Sequence, residues 1–513
     1  MINSSNLMIL GTIIVYLCGI HFVGAYFSKK GAADTSEGFY IGGRKLGPLV
    51  TAMSAEASDM SSWLLMGLPG VAYLSGVADA GWTAIGLAVG TYLNWLIVAK
   101  RIRTYSERID AITIPEFFAK RYHDNKKTLI LIAAIWIIVF FVPYTASGFV
   151  ACGKLFNTLF GVDYHVAMIV SALVIVIYTT LGGFLAASTT DFIQSIIMTI
   201  ALVIVVSYGI MMAGGMDSVM GHAYALPGYM SFTQSYDVAT KSAIPYSVLT
   251  IASKAAWGLG YFGMPHILLR FMAIKDKNQL KLSRRVATIW VVISMFVSVF
   301  IGIVAMAMSK EGVLATLVGS DSETAIVRIA HLLSTHGFGF ALIAGVILSG
   351  ILASTMSTSD SQLLAASSSV SNDIISDYLK KDYAQKRLLK ISRACLLISA
   401  FIGMILAWDP YSSVFQIVSF AWAGFGASFG PVVLLALFWK NSNKYGAIFG
   451  MLTGGVMVFV WHFLISPIGG VWGIYELLPA FVIALVVNVV VSLATGGASQ
   501  EIKAEFEDVK AAD

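Results

Sequence analysis

Long uncharged stretches recur along the chain, and each is about as long as a membrane-spanning helix. The hydrocarbon core of a bilayer takes about 20 apolar residues in helical form. Stretches of this kind run 7–28, 60–78, 81–99, 128–153, 164–190, 192–216, 286–309, 329–359, 410–439, 445–475 and 477–500. Two further candidates are imperfect, because 394–408 is short and 242–269 contains Lys254. Together they predict thirteen transmembrane helices, the second of which begins near residue 47.

The distribution of basic residues predicts how these helices are oriented. Met1–Leu7 has no Lys or Arg, whereas Lys29 and Lys30 follow the first apolar stretch. This is the reverse of a secretory signal and favours a retained helix with its N-terminus outside. The loops that would then face the cytoplasm hold nearly all of the 33 Lys and Arg residues; the exceptions are Lys154, Lys241, Lys254, Lys310 and Arg328. Such a bias predicts a cytoplasmic C-terminus.

The composition excludes a soluble globular protein. Hydrophobic residues make up 58% of the chain and charged residues 12%, about half the share of roughly 25% that soluble domains carry. The three cysteines, Cys18, Cys152 and Cys395, are scattered through apolar stretches, too few for a disulfide framework or a zinc site. No G-x-x-x-x-G-K-[ST] loop is present in the sequence, which argues against an ATP-driven pump of that class.

Three ionisable residues lie inside predicted helices, where a charge is costly and is usually retained for function. Glu56 and Asp59 are in the second helix and Lys254 is in the seventh. The same two helices contain clusters of helix-breaking residues, at Ala55–Gly70 and at Trp257–Pro265. Both helices are therefore predicted to be interrupted.

The two interrupted helices are five apart in the predicted order. Because five is odd, two five-helix halves, helices 2–6 and 7–11, insert in opposite orientations. Interrupted helices at matching positions of inverted halves indicate a transporter site at the membrane midplane. Unwinding frees backbone carbonyls for a cation and directs half-helix N-termini at an anionic group. We see no residue-level similarity between the halves, so this interpretation is topological.

A stripe of hydroxyl residues lies on one face of the predicted ninth helix. Ser354, Ser357 and Thr358 are spaced i, i+3 and i+4, and Ser361 is one turn further. Hydroxyls in membrane helices usually bond to their own backbone or to a neighbouring helix. Alternatively, hydroxyls and freed carbonyls supply the several oxygen ligands that a hard cation such as Na⁺ requires.

Three runs resemble the bacterial sodium/proline symporters of the sodium:solute symporter family. These runs are Ala57–Gly70, Tyr178–Ala186 and Trp257–Met272, and the similarity extends over nearly the whole chain. The resemblance implies an all-helical polytopic membrane protein of 13 helices, with a five-plus-five inverted-repeat core of the leucine-transporter type. It implies import of L-proline with Na⁺ by alternating access in a bacterial cytoplasmic membrane, with no other cofactor, no nucleic acid and no obligate protein partner.

The resemblance also implies site residues in this sequence, all of them binding groups and none of them catalytic. For sodium they are the carbonyls of Ala57, Met60 and Ser354, the hydroxyls of Ser357 and Thr358, and the coupling carboxylate Asp59. For proline they are Ser61, Trp63, Tyr144, Trp257, Tyr261 and Pro265. Asp191, at the start of the predicted sixth helix, corresponds to a family aspartate linked to ion passage.

These predictions divide the chain into five parts. They are a first helix with its loop (1–46), a first repeat (47–216), a second repeat (242–439), helices 12 and 13 (440–500), and a cytoplasmic tail (501–513). The tail is acidic and is expected to be a solvated end. The basic segment 100–127 is expected to contact anionic lipid headgroups.

Two residues depart from the family pattern. Glu56 replaces a small residue, and Lys254 replaces an apolar one. One hypothesis is that Glu56 and Lys254 compensate each other between helices 2 and 7. The alternatives are that Lys254 lines an outer vestibule and meets a substrate carboxylate, or that it reaches to the membrane surface. His266 and Arg270, at the end of the seventh helix, are expected to be surface anchors.

Other functions remain open at this point. The nearest is a Na⁺-coupled symporter of another amino acid or of a small carboxylate solute, which competition by unlabelled solutes would separate from a proline carrier. A channel would show conductance far above the turnover of a carrier, and a sensor would need an output domain. A membrane enzyme is disfavoured, because the interrupted helices contain no nucleophile–base set.

Overall fold

The computed structural model describes residues 4–30, 36–181, 184–381, 383 and 385–512. Within these residues the protein is an all-helical bundle with one small hairpin. The predicted run Tyr178–Ala186 is partly outside them, since Gly182 and Gly183 are not described.

The first half of the bundle follows the predicted spans, with the second one divided. The helices in chain order are α1 (Ser4–Lys30), α2 (Ser36–Ile41), α3 (Pro48–Ala57), α4 (Leu68–Ser75), α5 (Val77–Leu93), α6 (Ala99–Arg108), α7 (Ile114–Arg121), α8 (Thr128–Phe160), α9 (Tyr164–Leu181), α10 (Phe184–Met212) and α11 (Met216–Ala225). A 3-10 turn spans Gly42–Arg44, and π-helical segments span Trp63–Gly67 and Asn94–Val98.

The segment after α11 forms a hairpin that includes the predicted start of the seventh span at 242. Strands β1 (Gln234–Asp237) and β2 (Ser242–Pro245) pair antiparallel, with Gln234 opposite Pro245. The seventh span therefore begins at Val248 and not at 242. We call the end of the bundle that carries this hairpin the hairpin face.

The second half also consists mainly of long helices, and its first span is divided. Its helices are α12 (Val248–Ala255), α13 (Pro265–Ala273), α14 (Leu280–Lys310), α15 (Ala325–Ser334), α16 (Phe338–Ser368), α17 (Gln385–Leu406), α18 (Val414–Phe438), α19 (Lys444–Val460), α20 (Leu477–Ala494) and α21 (Gln500–Ala511). The shorter segments are 3-10 turns at Ala256–Gly263, Lys277–Gln279, Gly319–Thr324, Ser466–Ile468 and Gly470–Trp472, and π segments at Ser369–Tyr378 and Trp461–Ile465.

Nine helices in the described part are long and apolar enough to cross a membrane, and Trp63–Ser75 and Tyr164–Thr180 are shorter apolar helices. The polytopic helical membrane fold is therefore confirmed. The count of thirteen spans and the five-plus-five repeat stay predictions, because length and composition alone do not identify the interrupted spans.

Two span boundaries were predicted wrongly. The stretch 329–359 is not one helix, because α15 ends at Ser334 and α16 begins at Phe338 after Gly337, whose φ of +120° favours glycine. Asp191 does not separate two spans, because it lies inside α10, two turns after Phe184. A charge does not end a membrane helix when a partner neutralises it, as Arg270 does here.

The tail is a docked helix and not a solvated end. Ile502, Phe506 and Val509 of α21 are buried, and the guanidinium of Arg121 lies 5.5 Å from the Phe506 ring centroid. The Tyr105 hydroxyl donates to Glu505 over 2.9 Å. The helix packs on the end of the bundle that carries α6 and α7, which we call the basic face.

Three arginines of the basic segment bond to backbone carbonyls of other elements, contrary to the lipid contact expected for this segment. Arg101, Arg103 and Arg121 are 7%, 4% and 0% exposed. Their Nε atoms donate to the carbonyls of Leu437, Ile274 and Ala436 respectively. Snorkelling to lipid therefore does not describe these three side chains.

Replacing Phe506 is expected to release the tail. Phe506→Ala removes a buried ring and should cost about 3 kcal/mol of docking free energy. Limited trypsin digestion in detergent should then cut at Lys503 and Lys510 faster than in the unmodified protein. Glu507→Gln, at an exposed position of the same helix, is the matched control. Unchanged cleavage in Phe506→Ala would contradict the docked arrangement.

Candidate functional site

The second span is interrupted at Ser58–Ser62, as its sequence predicts, and the interruption frees two backbone carbonyls. In a continuous helix the Ala57 and Met60 carbonyls would accept from the N–H groups of Ser61 and Leu64. Here the Ser61 N–H donates to the Asp59 carbonyl over 2.8 Å, and the Leu64 N–H donates to the Ser61 carbonyl over 3.0 Å. The predicted break near Gly67–Gly70 is not observed, because Pro69 lies in the first turn of α4, where no N–H is needed.

The seventh span changes from α-helix to a 3-10 turn at Ala256–Gly263 and restarts at Pro265 after the extended residue Met264. Glycine is required where this turn passes close to α5, since a Cβ on Gly258 would lie 2.2 Å from the Gly86 carbonyl oxygen. The restart directs the N-terminal N–H groups of α13 towards the interruption, where a helix dipole favours negative charge.

The hydroxyl stripe of α16 reaches the first break. The Ser357 hydroxyl lies 2.8 Å from the Ala57 carbonyl and 3.1 Å from the Ser354 carbonyl. The Thr358 hydroxyl, next along the helix, is buried without a hydrogen-bond partner in the described part of the chain. The structure therefore brings three of the six predicted sodium residues into contact, Ala57, Ser354 and Ser357, with Thr358 beside Ser357 in the helix.

The remaining two, Met60 and Asp59, lie in the break itself and are 1% and 5% exposed. Among the described residues, no group of three or more His, Cys, Asp or Glu is placed to hold a metal. The oxygens at this break are carbonyls, hydroxyls and the Asp59 carboxylate, which suit a hard cation better than a transition metal.

The predicted proline residues form an aromatic group beside the break. The Trp63 and Trp257 ring centroids are 5.5 Å apart. The Tyr144 hydroxyl donates to the Asp59 carbonyl over 3.1 Å, and the Ser61 hydroxyl accepts from the Trp63 N–H. These contacts connect the first break with α8 and with the seventh span.

Tyr261 lies in the 3-10 turn that carries Trp257, and Pro265 begins α13 after that turn. Tyr261 packs edge-on against Trp422, at 5.1 Å between centroids. Pro265 lines a small cavity of about 70 Å³ that extends towards the basic face.

Sequence reasoning missed an aromatic layer that covers this group on the side of the hairpin face. Phe415 lies 6.1 Å from Trp63 and 5.3 Å from Trp257, and Tyr475 stacks on Trp257 at 5.2 Å. As a result Trp63 and Trp257 are only 3% and 2% exposed. No local motif marks Phe415 or Tyr475, which come from distant parts of the chain.

A buried ion pair positions Phe415. Lys154 and Glu323 are in contact at 2.8 Å, with side chains 6% and 4% exposed. The Glu323 carboxylate also accepts the N–H groups of Val414 and Phe415, at the start of α18. Lys154 was recognised in the sequence only as a basic residue outside the cytoplasmic set.

Asp191 and Arg270 form a second buried ion pair, which contradicts the expectation that His266 and Arg270 are surface anchors. Both His266 and Arg270 are 2% exposed, and Asp191 is 0% exposed. Arg270 contacts Asp191 at 2.9 Å and donates to the Ser54 and Ser361 hydroxyls. The pair joins α3, α10, α13 and α16.

Glu56 and Lys254 do not contact each other in the way the compensation hypothesis requires. Glu56 accepts from the Thr91 hydroxyl over 2.9 Å and from the Trp95 indole N–H over 2.7 Å. Lys254 forms an ion pair with Asp79 at 2.9 Å. The hypothesis is wrong because each residue has its own partner on the adjacent α5 or its π-helical continuation.

Comparison with known proteins establishes the class. The model of the sodium:solute symporter family matches residues 39–454. Sodium/proline symporter 2 of Staphylococcus saprophyticus is 38% identical over 505 residues, covering 97% of this chain and 95% of that protein. The osmoregulated proline transporter of Bacillus subtilis is 39% identical over 482 residues, covering 94% of each. The chain therefore belongs to the sodium:solute symporter family.

Solved structures agree in fold. A Na⁺-coupled sialic acid symporter in an outward-open state has a TM-score of 0.75 at 18% identity, with 96% of this chain and 99% of that chain covered. Mhp1, a nucleobase-cation-symport-1 family transporter in a closed conformation, has a TM-score of 0.53 at 14% identity, with 92% and 98% covered. The protein is a Na⁺-coupled solute symporter of the membrane and not an enzyme.

Glu56→Gly and Lys254→Leu should act independently, because the two residues have separate partners. Their effects on thermal stability in detergent should add within about 0.5 kcal/mol. A double-mutant cycle measures this directly. A coupling energy well above that value would restore the compensation hypothesis.

Breaking the Asp191–Arg270 ion pair should strongly destabilise the protein. Arg270→Met leaves a buried carboxylate unpaired and should cost about 3–5 kcal/mol. Adding Asp191→Asn should recover part of that loss, measured as the midpoint of thermal unfolding. Lys281→Met, at an exposed position of α14, is the control. Losses that simply sum in the double variant would show that the two residues are not coupled.

Proposed function

We propose that the chain imports L-proline together with Na⁺ by alternating access, with both ligands bound between the two interrupted helices. The observation that carries this proposal is the junction of the Ala57 carbonyl with the Ser357 hydroxyl, beside the unpartnered Thr358 hydroxyl. A cation there would be held by oxygen atoms from the second and ninth predicted spans at once. Its binding would stabilise the arrangement in which those spans are together.

The aromatic group beside this junction supports a small ring as the solute. Trp63, Trp257 and Tyr144 are nine-tenths buried or more, and the Tyr144 hydroxyl donates to the Asp59 carbonyl, so an apolar ring placed there would contact aromatic side chains. An imino acid presents an apolar ring, a carboxylate and an ammonium. The N-terminus of α13 would favour the carboxylate, and the carbonyl of the break would favour the ammonium.

The similar proteins support proline as the transported solute. Two proteins that are 38–39% identical over nearly their whole length are named as proline transporters. From the bias of basic residues we infer that the hairpin face is outside and the basic face is in the cytoplasm, as thirteen spans with two inverted five-helix repeats would require. We infer a bacterial cytoplasmic membrane as the location.

Coupling requires that Na⁺ and solute favour the same closed form. One Na⁺ entering down a potential of about 100 mV releases about 2.3 kcal/mol before its concentration gradient is counted. This amount is enough to concentrate a neutral zwitterion many-fold. Asp191 would influence ion passage through its pair with Arg270, which joins the helices on the side of the basic face.

Removing one cation ligand should lower the affinity for Na⁺ and leave the fold unchanged. In proteoliposomes, uptake of labelled L-proline should require an inward Na⁺ gradient. In Thr358→Val the Na⁺ concentration for half-maximal uptake should rise about tenfold, equivalent to roughly 1.4 kcal/mol. Ser349→Ala is the control, since Ser349 lies on the same helix and its hydroxyl bonds to Gly345.

Three outcomes would count against the proposal. Proline uptake that is indifferent to Na⁺ would refute the coupling. Absence of proline uptake, with Na⁺-dependent uptake of another amino acid or small carboxylate in a competition panel, would refute the solute and leave the ion site. An equal effect of Thr358→Val and Ser349→Ala would refute the placement of the ion.

A further inference from the structure

A large cavity lies above the aromatic layer on the side of the hairpin face. Its volume is about 850 Å³, and its floor includes Phe415 and Tyr475, which cover Trp63 and Trp257. The cavity is therefore separated from the central group by one layer of rings. None of the sodium or proline residues predicted from the sequence lines it, whereas Lys254 does, as the outer-vestibule hypothesis for that residue expects.

The wall of this cavity carries charges of both signs. Lys254 and Asp79 form one ion pair, and both side chains are 27% exposed. Glu476 and His462 form a second contact, at 3.2 Å between Oε1 and Nδ1. All four residues line the cavity.

A hydrogen bond between a backbone N–H and a side-chain hydroxyl holds the two pairs close together. The Tyr475 N–H donates to the Ser253 hydroxyl over 2.7 Å, and Ser253 is 1% exposed. Lys254 and Glu476 are the next residues along the chain from this contact. A cationic side chain that is 27% exposed and an anionic side chain that is 8% exposed therefore lie at adjacent points of one rim.

We propose that this rim is a binding site for a small zwitterion, in which Lys254 takes the carboxylate and Glu476 takes the ammonium. The site would hold the solute before the aromatic layer opens. A purely anionic or cationic solute would meet a repelling group beside its attracting one, so the rim selects for zwitterions. The proposal rests on the proposed function only in its choice of L-proline as the first probe.

Asp79 allows the proposal to predict opposite effects on solute binding for two charge removals. Asp79 already neutralises Lys254 and also accepts from the Tyr246 hydroxyl. A solute carboxylate must compete with it for the Lys254 ammonium. Removing the Asp79 charge should therefore strengthen binding, whereas removing the Lys254 charge should weaken it. If the ion pair were purely structural, removing either charge would change solute binding in the same direction.

Gln416 offers a reporter position, since it is exposed and lines the cavity. In a chain whose three cysteines are replaced by serine, Gln416→Cys would be modified with a polyethylene-glycol maleimide and followed by gel shift. The buffer would contain potassium and no sodium, so that a Na⁺-dependent central site stays empty. The measured quantity is the slowing of modification by L-proline, L-alanine or glycine betaine.

The expected result is saturable protection by at least one of these zwitterions, and none by prolinamide or cyclopentanecarboxylate. Lys254→Gln should raise the half-protecting concentration at least fivefold, and Asp79→Asn should lower it. Lys241→Gln, at the tip of the hairpin and outside the cavity, should leave it unchanged. Lys254→Arg should recover most of the protection.

Protection by no zwitterion, or equal protection with Lys254→Gln, would overturn the proposal. Protection without Na⁺-driven proline uptake would support the rim site while the proposed transport of proline fails. Normal Na⁺-driven proline uptake without protection would overturn the rim site alone. The two proposals are therefore tested separately.

Discussion

The structure depends on one constraint, which is that backbone groups released inside a bilayer must find partners within the protein. The two interrupted spans release backbone carbonyls, and side chains from four other elements donate hydrogen bonds to them. Ser357 donates to the Ala57 carbonyl, Tyr144 to that of Asp59, Trp422 to that of Trp257, and Asn94 to that of Tyr261. Each bond crosses from one part of the bundle to another, so the breaks hold the helices around them in place.

The same bonds explain why the interruptions suit an ion and a solute. A carbonyl that bonds to a hydroxyl keeps a lone pair for a cation, and the hydroxyl oxygen keeps its own. Binding a ligand there changes bonds between elements and not within one helix. A local ligand therefore affects how the second, seventh and ninth predicted spans sit together, which is the property that coupled transport requires.

Three ion pairs among the described residues join separate elements of the bundle. Lys154 pairs with Glu323, Arg270 with Asp191, and Lys254 with Asp79. The first pair anchors the start of α18, and with it the ring of Phe415 over the central tryptophans. The second pair joins four helices on the opposite side. Charged residues thus brace the structure on both sides of the aromatic group.

The sequence by itself determined the membrane class, the positions of most spans, and the interruptions at Ser58–Ser62 and Ala256–Met264. These follow from hydropathy and from local Gly, Ser and Pro chemistry, which act over a few neighbouring residues. It also determined the family, through the runs at Ala57–Gly70 and Trp257–Met272.

Only the tertiary structure decided the partners. Arg270 at the end of a span resembles a surface anchor until Asp191 of α10 is placed beside it, and α21 resembles a solvated tail until Phe506 meets Arg121. Phe415 and Tyr475 join the site from positions far along the chain. The physical reason is that burial and charge pairing are set by which helices pack together, and the pattern along a single helix does not contain that information.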